Sequence, residues 1–567
     1  MSLIGALNIG KSALATHQAA IQVTGNNISN AGNADYTRQV AKTAPGKDQQ
    51  IRPGVFLGSG INLTGVRRQI DEALEGRLRN SISDNEAGDV LQQWLGRIEA
   101  VFNELTDEDL STQLSAFFNS WSNLANKPQD VGLRQIVIQN GQSVAKWFQD
   151  MRGSLGNLQL DVDDRLRALT KDADQLAQQI AELNRQIVVA EGGSGGEANG
   201  LRDTRDVVLK QLSQLIDVKT MPQPSGAVNV YVGSEPLVIE ATSRGVGLRQ
   251  EVIDGQLASK VIFNANNGGM SLSSGQLGAL GESRKQVAAV IEKLDALAGS
   301  LIFELNKLHA AGQGLEGFSS VTATNPADDP TVALNAARTG LKYPPANGSF
   351  VVHVRNKTTG LVESTMVQVD LDGVGGDDTT LNSLAAELNG IANVSASISG
   401  GLLTIAAGSG DVEISFSQDS SGALAALGIN SFYTGRGARD IAVNTTITQQ
   451  PGLLAAAKNG EKGDNQTARL IAELESRPLA SLSGMSLKAT YESAVNGVAS
   501  AAASSRINAE AARVVKETLH AQREALSGVS LDEEAVNLMR EQRAFQGAAR
   551  LITAVNEMMD TVLNLVR

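Results

Sequence analysis

The sequence predicts an α+β multidomain protein, in which an elongated helical bundle or coiled-coil rod formed by both termini carries inserted β-rich domains. Apolar residues recur every seven positions at both ends of the chain, which is the period of a coiled coil. Further repeats of this kind run through the middle, and two stretches between them alternate with the period of a strand. At 567 residues the chain is also too long for a single core.

The N-terminal segment predicts a narrow amphipathic helix. Leu7, Leu14, Ile21 and Ile28 lie seven residues apart, and Lys11 alone carries a formal charge among the first 30 residues. Gly, Thr and Asn are frequent at the other positions, so an isolated helix of this composition is marginal in water. We therefore expect it to become ordered by packing against a partner.

The C-terminal segment carries the same repeat more strongly, and Val555 and Val562 widen its apolar stripe. Its start is marked by Gly528, which can end a preceding helix, and by the capping-box spacing of Ser530 and Glu533. One phase of the repeat contains Leu531, Leu538, Phe545, Ile552, Met559 and Val566.

The middle of the chain alternates between helical and strand-like segments. A leucine stripe within residues 280–308 and an Ala-rich stretch at 482–525 predict long helices, whereas alternating valines at 228–232 and apolar alternation within 318–450 predict strands. The predicted domains are a terminal coiled-coil module (1–40 and 525–567), a helical rod domain (41–215, 276–317 and 451–524), a small β-rich insertion (216–275) and a larger β-rich insertion (318–450).

The two terminal stripes have no other obvious partner within the chain than each other. We therefore expect the termini to pair into one slender module. Two helices bury too little surface by themselves, so neighbouring copies would have to cover the remaining apolar area. Repetition of such a contact from copy to copy generates a ring or a helical tube.

Composition limits the function. A net charge of -13 and a pI near 5.0 argue against nucleic acid and anionic membranes as partners, because both require a basic surface. Aromatic residues make up only 4%, so few anchors for a ligand pocket are present. Cysteine is absent, which removes thiol chemistry. The sequence also shows no membrane-spanning run and no secretory signal at its start.

No constellation of residues predicts catalysis, a metal or a cofactor. The histidines are far apart and form no pair with metal-ligand spacing. The stretch "DLDGVGGDD" at 370–378 resembles a calcium loop, but Val374 and Leu381 stand where oxygen ligands are needed, so a β-turn is the better interpretation. The glycine cluster after Glu191 lacks the Lys-Ser/Thr of a phosphate loop and is interpreted as a connection between helices.

The stretch "NNISNAGNADYTRQ" at 26–39 resembles the N-terminal motif of the bacterial flagellar axial proteins, the family of rod, hook and hook-associated proteins. Asp35 replaces the usual Gly before the Tyr, and Asp tolerates a left-handed backbone better than most residues. The tail from 527 and the stretches "NGLRDTRDVVLKQL" and "FYTGRGARDIAVN" resemble the branch at the hook-filament junction. The matching residues are Asn26, Asn27, Ile28, Ser29, Asn30, Tyr36, Thr37 and Arg38.

This resemblance implies a structural, non-enzymatic protein that joins the flagellar hook to the filament as a ring. It implies export through the flagellar type III apparatus without a cleaved signal peptide, and an extracellular location. The implied partners are further copies of the chain, the hook protein, a neighbouring hook-associated junction protein and an export chaperone at the C-terminal region. The candidate assembly interface comprises Leu7, Leu14, Ile21, Asn26, Asn27, Ile28, Asn30, Leu531, Leu538, Phe545, Ile552, Met559 and Val566.

Two alternatives remain open from sequence. A hook or distal rod protein would share both terminal motifs, but would typically lack the long internal heptads of residues 150–311. A secreted coiled-coil adhesin or enzyme with β insertions would show a binding activity in the isolated middle of the chain.

Overall fold

The computed structural model describes residues 3–103, 109–193, 196–253, 256–461 and 463–565, which form two compact units. The first unit contains residues 1–94, 162–284 and 503–567, and the second contains residues 95–161 and 285–502. The helices are α1 (Leu3–Ser29), α2 (Glu72–Asn103), α3 (Leu110–Asn126), α4 (Val131–Glu191), α5 (Asn199–Leu215), α6 (Gly275–Ala310), α7 (Leu381–Asn389), α8 (Ala423–Leu427), α9 (Thr445–Gln449), α10 (Gln466–Ala472), α11 (Leu487–Ser527) and α12 (Leu531–Leu565).

The strands form small antiparallel sheets. Their orders are β1-β4, β2-β3, β5-β6-β7-β8 and β10-β9 in the first unit, and β11-β15-β14, β13-β12-β16 and β17-β18 in the second. The bounds are β1 (Gln39–Pro45), β2 (Gln49–Arg52), β3 (Val55–Leu57), β4 (Ile61–Arg68), β5 (Val218–Pro222), β6 (Val228–Val232), β7 (Glu235–Ile239), β8 (Thr242–Ser243), β9 (Val246–Ile253), β10 (Gln256–Phe263), β11 (Ser320–Thr322), β12 (Gly348–Asn356), β13 (Val362–Val369), β14 (Val394–Ser399), β15 (Leu402–Ala407), β16 (Val412–Ser417), β17 (Tyr433–Thr434) and β18 (Ala442–Val443).

In the first unit, the predicted valine alternation forms β6, whose Val228, Val230 and Val232 are all buried. Asn184 of α4 fastens this sheet, because its amide nitrogen donates to the carbonyl of Val228 at 2.8 Å and its amide oxygen accepts from the same residue's N–H at 3.0 Å. A fully buried amide is stable only when its donors and acceptors are used in this way. The contact therefore fixes where the small sheet lies on α4.

The helical prediction for residues 41–215 is wrong at its beginning. Residues 39–68 form strands β1 to β4, and α2 begins only at Glu72. Pro53 and Gly54 make the turn between β2 and β3, where Gly54 has a φ of +81°, a value that glycine adopts without strain. Pro and Gly this close together interrupt a helix, so the stretch "RPGV" was a signal for a hairpin.

The helical part of the second unit surrounds an aromatic core. Phe117 and Trp121 of α3 meet Phe432 and Tyr433, with ring centroids 4.8 to 6.3 Å apart. All of these rings are fully buried. The side chain of Asp109 caps α3 by accepting from the Thr112 amide at 2.7 Å, which fixes where the helix starts.

The β part of the second unit confirms the predicted alternation in 318–450. Phe350, Val352 and Val354 of β12 point into one core. A hairpin turn forms between β14 and β15, where Ser399 pairs with Leu402 across a two-residue loop. The short helix α7 begins at Leu381, and Thr380 and Ser383 form a capping box at its start.

The long helices predicted at 280–308 and 482–525 are α6 and α11. The predicted break near residue 529 separates α11 from α12. The residues of the predicted helical rod domain are distributed over both compact units. Among the described residues, no helix combines the length and the apolar character that crossing a membrane requires.

Candidate assembly interface

The two terminal helices pack against each other as the apolar repeats predict. Asn27 near the end of α1 contacts Glu534 near the start of α12, whereas Gly10 lies against Ile552. The order of these contacts shows that the helices are antiparallel. A Cβ atom added to Gly10 would lie 2.8 Å from Cγ1 of Ile552, so the close approach at this point requires glycine.

The predicted stripe residues lie along this pair but are only partly buried. Leu531 is exposed, and Val566 lies outside the described residues. Val555 is fully buried, whereas Val562 is 49% exposed. A pair of helices alone thus leaves much of the stripe accessible. The partly buried members are Leu7, Leu14, Ile21 and Ile28 on α1 and Leu538, Phe545, Ile552 and Met559 on α12.

Asn27 explains much of the asparagine-rich opening. Its amide nitrogen donates to the Gln39 carbonyl at 2.9 Å and to Glu534 at 3.0 Å. Its amide oxygen accepts from the Tyr36 hydroxyl at 2.8 Å and from the Gln39 N–H at 3.0 Å. One buried side chain therefore joins α1, the following loop, β1 and α12, and both of its donor hydrogens are used.

The neighbouring asparagines shape the loop after α1. Asn30 donates to the Asn26 carbonyl at 2.9 Å, at the end of the helix, and Asn26 donates to the Tyr36 hydroxyl at 3.2 Å. Asn33 accepts from the Asp35 amide at 3.1 Å. Asp35 does not adopt the left-handed backbone considered from the family motif. The Asx turn at Asn33 forms this part of the loop instead.

Arg38 holds the loop to the start of α12. Its guanidinium group contacts Glu534 at 2.7 Å and Glu533 at 2.8 Å, and its backbone N–H donates to the Ser527 carbonyl at 3.0 Å. Glu534 is buried, so its charge requires both this cation and the Asn27 amide. The pairing is specific because losing either partner would leave a buried carboxylate poorly compensated.

A second ionic cluster lies behind Tyr36. Arg68 of β4 contacts Asp203 at 2.9 Å and Asp206 at 2.6 Å, both on α5. Burial, followed by the charges of Asp203 and Glu534, raises the pKa of Tyr36 to about 12. The hydroxyl therefore stays protonated at neutral pH and can donate to Asn27, so this cluster supports the geometry of the loop.

A third buried ion pair connects α11 to the loop. Arg523 contacts Glu75 of α2 at 3.3 Å and donates to the Ala34 carbonyl at 2.9 Å. Both charged side chains are 3% to 4% exposed. Buried pairs of this kind add little net stability but disfavour other arrangements, which suits a loop that must hold one shape.

Polar residues also lie within the α1 and α12 interface. His17 Nδ1 and Glu541 Oε2 are 2.7 Å apart, and the buried Thr24 lies seven residues after His17 on the same side of α1. Polar groups inside a coiled coil typically fix its register at a cost in stability. The interface is therefore better suited to a defined alignment than to strong pairing of two isolated helices.

Sequence reasoning missed the ionic partners. Arg38 was matched as part of the motif, but nothing local indicated Glu534, which is 496 residues away in the chain. The same holds for Arg523 and Glu75, separated by 448 residues. A signal existed only for Glu534, because it occupies a core-facing position of the C-terminal repeat where an apolar residue would be expected.

The other groups considered from sequence lie elsewhere. His309 is fully buried, where its Nδ1 lies 2.8 Å from the Asn430 carbonyl and its Nε2 accepts from the Ala455 amide at 2.9 Å. The carboxylate oxygens of Asp370, Asp372 and Asp378 lie within 4.8 Å of one another. Loop amides donate to all three of these carboxylates. These hydrogen bonds are consistent with the turn predicted at 370–378.

Comparison with known proteins finds similarity to flagellar hook-associated proteins along the chain. The model "Flagellar hook-associated protein FlgK helical domain" matches residues 95–322, and "Flagellar basal body rod FlgEFG protein C-terminal" matches residues 522–565. Flagellar hook-associated protein 1 of Escherichia coli is 24% identical over 571 residues, with 99% of both chains covered. The chain is thus similar over nearly its whole length to flagellar hook-associated protein 1.

Two further comparisons agree with this similarity. Hook-associated protein 1 of Bacillus subtilis is 32% identical over 260 residues, which cover 44% of this chain and 50% of the relative. The fold is similar to the flagellar hook junction protein FlgK from Burkholderia pseudomallei, with a TM-score of 0.50, 15% identity and coverage of 80% of this chain and 100% of that chain. The C-terminal match at 522–565 covers all of α12.

Proposed function

We propose that this protein joins the flagellar hook to the filament and that it assembles as a ring through α1 and α12. The observation that carries the proposal is the antiparallel pairing of the terminal helices, whose apolar stripes stay only partly buried in the single chain. Slender helical modules of this kind complete their cores by packing against neighbours. The proposed role is structural rather than enzymatic.

The proposed partners follow from the position of such a ring. The protein contacts further copies of itself, the hook protein on one side and a neighbouring junction protein on the other. It reaches the extracellular hook-filament junction through the flagellar export apparatus, and an export chaperone binds its C-terminal region. The exposed apolar residues of α12, including Val536 and Met539, support a covering partner before assembly.

Deleting residues 531–567 tests the assembly role. This change removes α12 and the partners of Asn27 and Arg38, while the aromatic core of the second unit lies outside the deleted segment. We expect the truncated protein to fold but not to restore filaments to cells that lack their own hook-filament junction protein. Normal junctions with this variant, checked by electron microscopy, would refute the proposed interface. Tryptophan fluorescence of the purified variant controls for folding.

Hydrogen exchange on the purified full chain tests whether the terminal helices become fully protected only when neighbouring copies are present. We expect residues 3–40 and 531–565 to exchange much faster than α3 and α6, because polar groups interrupt the terminal interface and its apolar stripe is partly exposed. Equal and strong protection of both regions in a monomer would mean that the terminal helices are already complete, and assembly through them would have to be abandoned.

A further inference from the structure

The side of α12 that faces away from α1 has a distinct chemistry. At 100° per residue, Arg543 and Arg550 lie opposite to the positions that contact α1. Val536 and Met539 lie near this side and are more than half exposed, and Leu551 is 40% exposed. We call this side the arginine face of α12. It combines cationic side chains with accessible apolar area, so it suits an acidic groove with apolar walls.

Such a groove lies on the opposite side of α1. It has a volume of about 750 Å³ and runs between α1, the loop after it, β4 and the start of α5. Ala19 and Val23 supply the wall on α1, and the same helical periodicity places them roughly opposite to Gly10, which lies against Ile552 of α12. We call it the α1–α5 groove. Its walls are therefore separate from the interface between the terminal helices.

The α1–α5 groove offers hydrogen-bond acceptors and negative charge. Asp35, Glu197 and Asp203 line it, and no Lys or Arg does so among the described residues. Asp203 is already held by Arg68, and Glu197 lies 3.5 Å from Arg67, whereas Asp35 is exposed. The buried amide oxygen of Asn199 also lacks a hydrogen-bond partner in the described part of the chain. A guanidinium group provides the donors and the positive charge that such a wall favours.

We propose that the arginine face of α12 in one copy lies in the α1–α5 groove of the next copy. This inference rests on the proposed ring assembly and names its contact surface. One chain cannot fill its own groove in this way, because α1 stands between the two surfaces. The contact is therefore heterologous, and repeating it places terminal helices in the order α12, α1, α12, α1 from copy to copy. A contact of this type closes into a ring or continues as a tube.

Charge complementarity favours a second copy as the occupant. Between Val536 and Leu551 the arginine face carries Arg543 and Arg550 and no carboxylate, whereas Asp532 and Glu557 lie on the same side towards its two ends. This middle part attracts an acidic groove and repels a second surface of its own kind. The contact would also remove apolar surface from water, which favours association. This surface belongs to Val23 and Val207 in the groove and to Val536 and Met539 on the helix. Hook protein or another junction protein in the groove would be the alternative outcomes of the test.

Cysteine cross-linking provides the test, because the natural chain contains no cysteine. We would combine Gln22→Cys in the groove with Arg543→Cys, and in a second variant with Arg550→Cys, then treat junctions assembled on hooks with a bismaleimide. We expect a ladder of covalently linked copies on a denaturing gel. The matched control, Gln175→Cys with Arg543→Cys, uses an exposed position of α4 outside the groove and should remain monomeric.

The outcomes separate this proposal from the assembly role. If the wild-type protein restores filaments but neither groove variant gives a ladder, the contact is wrong while the function stands. Groove cysteines linked to hook protein or to another junction protein would also overturn it. If the wild-type protein restores no filaments, the proposed function itself fails.

A charge exchange gives a second, independent readout. We expect the double variant Arg543→Glu and Arg550→Glu to reduce the number of filaments at least tenfold, because it places carboxylates against the groove. Adding Asp35→Lys and Glu197→Lys in the same chain should recover most of the loss. No loss with the first pair, or a loss that the second pair does not repair, would count against the contact.

Discussion

The terminal helix pair and the aromatic core of the second unit are held together by different means. Around Phe432 the contacts are ring against ring, with no exposed surface. Between α1 and α12 the most buried contacts include Asn27, Glu534 and a threonine, while the apolar stripe stays partly open. A dry core stabilises a domain by itself, whereas a polar interface with an open stripe defines alignment and depends on further partners. We therefore expect the aromatic core to fold alone and, under the proposed function, the terminal helix pair to be completed by assembly.

The largest effect should come from removing an aromatic ring of the core. Phe432→Ala leaves a cavity among Phe117, Trp121 and Tyr433, and we expect a loss of about 3–5 kcal/mol in the free energy of unfolding of the second unit. Urea unfolding followed by tryptophan fluorescence measures it. Phe56→Ala is the matched control, since this ring is 60% exposed on β3 and should cost little. Similar losses for both variants would mean that the core is not the dominant source of stability.

The buried histidine of the same core should make it sensitive to acid. Burial lowers the pKa of His309 from its ordinary value of 6.5 to about 4. The unfolded chain therefore binds a proton between these values that the folded chain does not bind, so stability falls as the pH drops from 6.5 towards 4. This difference in the pKa of His309 corresponds to about 3 kcal/mol in the free energy of unfolding. Comparing urea midpoints at pH 7 and pH 4.5 for wild type and His309→Gln isolates this contribution, and an equal pH dependence of both proteins would contradict it.

The terminal module should respond to the loss of its central amide. Asn27→Ala removes partners from the Tyr36 hydroxyl and from both backbone groups of Gln39, which we expect to cost about 1–3 kcal/mol locally. Hydrogen exchange should rise in residues 20–40 and in the first turns of α12, with α3 unchanged. Asn26→Ala is the comparison variant: Asn26 is exposed and its side chain donates to the Tyr36 hydroxyl at 3.2 Å, so we expect a smaller rise in the same residues. If exchange rises across the whole chain, the stability of the aromatic core depends on that of the terminal helix pair.

Local patterns in the sequence predict several elements of this fold, whereas contacts between distant segments cannot be predicted from them. Repeats predict α6, α11, α12 and the pairing of the termini, because apolar periodicity is local information. The strands at 39–68 were missed since their alternation is short and exposed, and only the Pro53-Gly54 turn marked them. The pairing of Arg38 with Glu534 could not be derived, because an ion pair between distant segments depends on the assembled fold. The α1–α5 groove likewise requires three separate segments to be placed first.

The smallest effect should come from the cap of α12, which the sequence predicts as a capping box. The Glu533 amide donates to the Ser530 hydroxyl over 3.4 Å, which is long for such a bond. We therefore expect Ser530→Ala to cost about 0.5 kcal/mol, the low end for a lost cap, seen as a slight rise in exchange in the first turn of α12. Ser530→Asp should reverse the sign, because a carboxylate at a helix start interacts favourably with the helix dipole.

A large loss with Ser530→Ala would show that the start of α12 depends on its cap. The nearby contacts of Glu534 with Arg38 and Asn27 would then be weaker than their burial implies. A small loss would mean that these buried contacts, and not the cap, fix where α12 begins. The alignment of the terminal helices would then depend on Asn27 and Arg38 of the N-terminal motif, and contacts with α1 and the loop after it would position α12.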